Sequence, residues 1–65
     1  MLEMPNLRIV NRYGETGGSW YIEPHETDRV ERAKRETAFY QREEPGSDWR
    51  LETRGDWTSW HRWRD

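Results

Sequence analysis

Along residues 7–13 (LRIVNRY), Leu7, Ile9, Asn11 and Tyr13 fall on one side and Arg8, Val10 and Arg12 on the other. That is the two-residue period of a half-buried strand. Gly14, Gly17 and Gly18 follow within five residues and supply the positive φ values of a tight reversal. Residues 19–23 (SWYIE) read as a second strand of aromatic and β-branched residues, so the two runs form a hairpin. Pro24 ends that strand, because it has no N–H for a ladder, and it suits the start of a helix.

Residues 25–44 carry the helical pattern. Val30, Ala33, Thr37 and Tyr40 share one narrow stripe, with Phe39 beside it, so one side packs and the rest is wet. Thr27 is the expected N-terminal cap, and Glu26, Asp28 and Glu31 bring negative charge to the positive end of the helix dipole. Asp28 with Arg32 and Glu31 with Arg35 are acid-before-base pairs one turn apart. Pro45 and Gly46 stop the helix.

Residues 48–53 (DWRLET) alternate again, with Trp49, Leu51 and Thr53 facing one way and Arg50 and Glu52 the other. Arg54-Gly55-Asp56 is a turn signal. Residues 57–63 (WTSWHRW) are read as a fourth strand, with Trp60 on the opposite face from Trp57 and Trp63. Their three-residue spacing also suits a helical stripe, and that alternative stays open. The expected fold class is α+β: a small antiparallel sheet of two hairpins with one helix packed on a face, order ββαββ. Residues 1–65 form one domain.

Composition changes what the core is made of. A domain this short removes only about 60% of its unfolded surface from water, so its stability margin is thin. Aliphatic residues are few, whereas five Trp, three Tyr and one Phe are present. The aromatics are therefore expected to form most of the core and to keep the chain folded despite 37% charged residues. Small domains without staples often gain stability by pairing, so a homodimer or an obligate complex is an open expectation.

The absence of cysteine excludes disulfides and thiolate metal sites. His25 and His61 lie far apart without neighbouring ligands, and no cofactor is expected. The chain starts at Met1 without a signal-peptide pattern and holds no apolar run of membrane-spanning length. It is therefore expected to be a complete small protein of the host-cell cytosol, with no membrane partner.

Enzyme chemistry finds no foothold. Ser19, Ser47 and Ser59 stand in no nucleophile context, neither histidine falls in a triad setting, and the glycine turn lacks the residues of a phosphate-binding loop. A fold of this size is expected to have little room for a pocket of about 300 Å³, so no small-molecule substrate is expected.

Two constellations remain. The run from Trp57 to Arg64 interleaves aromatics with arginine. Such residues build cores, serve as hot spots in protein interfaces, or stack on bases and contact phosphates. The carboxylates of Glu43, Glu44, Asp48, Glu52 and Asp56 lie close in sequence. Spread over one face they can imitate a phosphate backbone, although interspersed arginines break up the field and an ordinary mixed surface explains them too. Arg54-Gly55-Asp56 spells the integrin-binding tripeptide, which a cytosolic chain cannot use and which a hairpin turn explains. The net charge of −2, from 11 basic and 13 acidic residues, lacks the basic excess of a dedicated nucleic-acid binder. Ten of the eleven basic residues are arginine, as a GC-rich coding genome or a need for forked contacts would give.

In format, a tiny cysteine-free, arginine-rich chain of mixed strand and helix with many carboxylates resembles the small phage-encoded inhibitors of bacterial defence, the anti-CRISPR proteins. The resemblance spans the chain but rests on no diagnostic motif. It implies a protein partner such as a CRISPR effector complex, blocked sterically or by partial DNA mimicry. The expected contact residues are Glu43, Glu44, Asp48, Glu52 and Asp56, with Trp60 as an exposed anchor. The alternatives are a small nucleic-acid-binding or regulatory protein using Arg62, Arg64, Trp60 and Trp63, and a phage structural subunit.

Overall fold

The computed structural model describes residues 4–55 and 59–64. Its elements run β1 (Leu7–Val10), β2 (Thr16–Trp20), α1 (Thr27–Glu43), a single 3-10 turn (Pro45–Ser47), β3 (Arg50–Thr53) and β4 (His61–Arg62). The four strands form one antiparallel sheet in the order β2-β1-β3-β4, so two hairpins meet along β1 and β3. The α+β class and the ββαββ order are as the alternation indicates. Trp57 lies outside the described residues, but the strand reading of the last segment stands at His61 and Arg62.

Alternation sets the two faces, apart from an irregularity between Ile9 and Val10 where β1 meets β2. Leu7 and Ile9 of β1 and Leu51 of β3 point to the helix and bury against Ala33, with Val30 and Tyr40 packed alongside. The aromatics do not form the centre of this core, contrary to the expectation from composition. Among the described residues the buried hydrophobics are Leu7, Ile9, Val10, Ala33 and Leu51. Trp20, Tyr40, Trp49 and Trp63 are half-buried rings around that aliphatic centre, while Phe39 and Tyr13 are 53% and 68% exposed. One narrow helix stripe covers only the middle of a four-stranded sheet. The large rings fill the wedge at its margins, each with one side left to water.

The glycines act differently from the expected turn. Of Gly14, Gly17 and Gly18, Gly14 alone has positive φ, at 82°. Gly17 and Gly18 lie inside β2, where rings need their missing side chains. A Cβ on Gly18 would meet the Trp20 ring at 2.7 Å, and one on Gly17 would meet Tyr40 at 3.0 Å and Trp49 at 3.3 Å. Tyr40 and Trp49 stack at 4.8 Å between centroids, and the Tyr40 hydroxyl donates to the Gly17 carbonyl at 3.4 Å.

Two asparagines finish β1. Asn11 is 1% exposed, and its Oδ1 accepts the N–H groups of Tyr13 and Glu15, both at 3.0 Å, which closes the first hairpin. At the other end, the Asn6 side chain pairs with the backbone of Ile22 through bonds of 2.8 and 2.9 Å, as a neighbouring strand would. The Asn6 backbone carbonyl accepts from the Arg54 N–H and the Thr53 hydroxyl. The second strand therefore ends at Trp20, short of Pro24.

Glu26, not Thr27, is the N-terminal cap of α1, and its side chain does not cap the helix. It accepts the Glu23 N–H at 2.7 Å instead. That bond, with Arg29 in support, holds the Glu26 carboxyl below the usual carboxylate range. The surface pairs of the helix are Arg32 with Glu36 and Lys34 with Glu31, in place of the two expected ones.

Two glycine substitutions separate these roles. Gly18→Ala drives a methyl into the Trp20 ring and should cost about 1–3 kcal/mol. Gly46→Ala meets nothing within 4 Å and should be neutral, or stabilise by up to about 1 kcal/mol through a less free unfolded chain. Urea unfolding followed by tryptophan fluorescence measures both.

Candidate functional site

With α1 on one side, the other face of the sheet carries no covering element among the described residues. The register sets Ser19, Arg8, Glu52 and Arg62 side by side across the four strands. Arg50 and Arg54 flank Glu52 along β3 at the same two-residue period, and Trp60 stands two residues before Arg62. Four arginines and one tryptophan thus share the open face.

Glu52 lies at the centre of this group and is 8% exposed. Its Oε1 accepts Arg8 Nε at 2.9 Å and Arg8 Nη2 at 2.6 Å, and its Oε2 accepts Arg50 Nε at 2.9 Å. Burial by itself would raise the Glu52 pKa. The bonds from Arg50 and Arg8, and the charges of both, outweigh that and hold the carboxyl below its usual range. Asp48, at the margin of the face, pairs with Arg50 at 3.5 Å and Arg62 at 3.8 Å. The Arg8 and Arg54 guanidiniums lie 4.3 and 4.5 Å from the Trp60 ring centroid, each contact worth roughly 0.5–1 kcal/mol at an exposed site. Arg54 is anchored further by its Nε bond to the Pro5 carbonyl at 3.0 Å.

Arg8, Arg50 and Arg54 are therefore held in place before anything binds, whereas Arg62 is exposed and reaches only Asp48. Arg8 and Arg50 each spend two donor atoms on carboxylates, and the planar fork leaves other N–H groups uncommitted to them. Four guanidiniums against the carboxylates of Glu52 and Asp48 make this patch cationic, on a chain whose net charge is −2.

The expected contact residues divide between two places. Asp48, Glu52 and Trp60 come together on the open face, where both carboxylates are already engaged by arginine. Glu43 and Glu44 lie at the C-terminal end of α1. Glu44 accepts from Trp49 Nε1 at 3.2 Å and from the Ser47 hydroxyl at 3.3 Å. Asp56 lies outside the described residues. Of the C-terminal set, Trp60 and Arg62 belong to the open face. Trp63 packs against the core on the helix side, with its N–H bonded to the Leu51 carbonyl. The sequence reading missed Arg8, Arg50 and Arg54 as site residues. The signal for Arg8 was its place on the polar side of the first alternating run.

A groove of about 470 Å³ opens between the first half of α1 and the sheet, lined by Leu7, Tyr21, Ile22, Pro24, Val30 and Trp63 among others. The fold thus has more concave space than its length suggests. Its wall carries Glu31 and Lys34, 3.3 Å apart, and no serine, cysteine or histidine among the described residues. No group of three His, Asp or Glu among those residues could hold a metal ion. No helix among them is long and apolar enough to cross a membrane.

Glu52→Gln leaves two guanidiniums around a neutral amide and should cost on the order of 2–3 kcal/mol. Because the folded-state pKa of Glu52 is depressed, its contribution is complete above the ordinary glutamate value. It is lost as the pH falls through the lower folded value. Unfolding curves across acid pH should show this loss in the parent protein and a flatter profile in Glu52→Gln. Comparison of the chain with protein-family models, with curated proteins and with solved structures gave no match.

Proposed function

We propose that this chain is a non-enzymatic binding protein that docks through the open face of its sheet on an anionic surface of a macromolecular partner. The observation that supports this most is the gathering of Arg8, Arg50, Arg54, Arg62 and Trp60 around the buried Glu52. Trp and Arg are the residues most enriched at binding hot spots, and their rigid placement lowers the entropy lost on docking. The small format favours a phage-encoded inhibitor of a bacterial defence complex, such as a CRISPR effector. The cationic face favours steric blocking over DNA mimicry, because Asp48 and Glu52 already take arginine partners.

A second reading has its own support. Arginines beside an aromatic ring on a bare sheet are the furniture of single-strand nucleic-acid binders. In that case the partner's phosphates replace an acidic protein surface.

Purified CRISPR effector complexes and single-stranded oligonucleotides are the two probes. The parent protein should bind one of them. Arg62→Glu reverses the charge of an exposed side chain and should weaken that binding at least about tenfold, with a steep dependence on salt. Binding that ignores both Arg62→Glu and salt would place the contact elsewhere. Binding to neither probe, with no protection of phage in plaque assays, would remove the defence-inhibitor and nucleic-acid readings together.

A further inference from the structure

The two edges of the sheet are unequal. On one side β4 is only two residues long and carries His61 and Arg62. A short, charged edge is a poor template for another strand. On the other side β2 presents five residues, Thr16–Trp20 (TGGSW), with no charge and no proline. Its outer edge pairs with no strand among the described residues. Nor does the helix close over it, because a cleft of about 280 Å³ lies between Trp20 and Ile22 and the α1 residues Arg29, Arg32, Ala33 and Glu36.

We propose that the β2 edge is the contact surface for a second copy of this chain, joined antiparallel about a two-fold axis near Gly18. Three observations favour a copy over a foreign strand. The edge is neutral, so pairing it with itself brings no like charges together. A recognition groove for a foreign acidic strand would need a charge excess, but Arg29 and Arg32 beside it are matched by Glu26 and Glu36. Pairing about Gly18 also sets large against small, with Trp20 opposite Thr16 and Ser19 opposite Gly17 of the second copy.

That register accounts for a further feature. Tyr13, at the tip of the first hairpin, is 68% exposed in the single chain. Under the same pairing the hairpin tip, just before Thr16, lies toward the chain that leaves β2 after Trp20 in the second copy and runs on to Glu23. Glu23 lines the 470 Å³ groove with Tyr21, Ile22 and Pro24. Each copy would offer an exposed ring to the groove of the other. The two open faces would join into one eight-stranded sheet with its arginines repeated about the axis. A core with five buried hydrophobic residues gains most from such an extension.

The absence of native cysteine makes the test direct. Ser19→Cys is an exposed single site for a spin label. Antiparallel pairing about Gly18 places the two Ser19 side chains roughly 8 Å apart, the diagonal spacing of neighbouring strands. Light scattering should find a dimer whose labels couple strongly at short range. The double variant Thr16→Lys and Ser19→Lys installs the guard that β2 lacks and should weaken association at least about tenfold. Circular dichroism checks that α1 persists in it. A chain that stays monomeric up to millimolar concentration overturns the proposal. So does a dimer whose labels at position 19 remain uncoupled.

Discussion

Glu52 takes the N–H groups of Arg8 and Arg50 while lying 8% exposed in the middle of the sheet. A carboxylate in that position is costly unless it is hydrogen-bonded on both oxygens, and here it is. Its partners come from the two central strands, β1 and β3, which pair side by side in the sheet but are separated along the chain by β2 and α1. The contact therefore spans the longest connection in the fold. It also decides what the bare face is. Without Glu52, Arg8 and Arg50 would repel one another. With it they become fixed donors, and Arg8 in turn lies against Trp60.

The helix side is built by a different logic. A small aliphatic centre of Leu7, Ile9, Ala33 and Leu51 is closed by rings that are only half-buried. The Tyr40–Trp49 stack rests on Gly17, and the Trp20 ring folds back over Gly18. Rings of this size can seal a sheet that one helix cannot cover, but only where the strand beneath has no side chain. The same glycines leave β2 smooth and uncharged at its edge.

Much of this architecture is written locally. Alternation along residues 48–53 places Arg50 and Glu52 together and sends Trp49 and Leu51 to the core, and the same two-residue period separates Trp60 from Trp63. What sequence could not give is what depends on distant chain segments meeting. The pairing of Arg8 with Glu52 needs the register of β1 on β3. The roles of Gly17 and Gly18 need ring contacts made by Tyr40 of α1, by Trp49 just before β3 and by Trp20 of β2 itself. The strand-like work of Asn6 depends on Ile22 arriving beside it. Counting aromatics gave their importance but not their location, because the width of the covering helix decides which side chains reach the centre. The carboxylates near residues 43–56 looked like a surface. In the fold, Glu52 lies under arginine and Glu44 braces Trp49.

Glu52 pins two arginines on the face of the sheet opposite α1. Nuclear magnetic resonance of the arginine side chains tests it most directly, through the exchange of each Nε–H with water. Exchange should be slow at Arg8 and Arg50, whose Nε–H groups both end on Glu52, and fast at exposed Arg62. Equally fast exchange at all three would mean that the carboxylate holds neither guanidinium and that the open face is a set of independent, mobile charges.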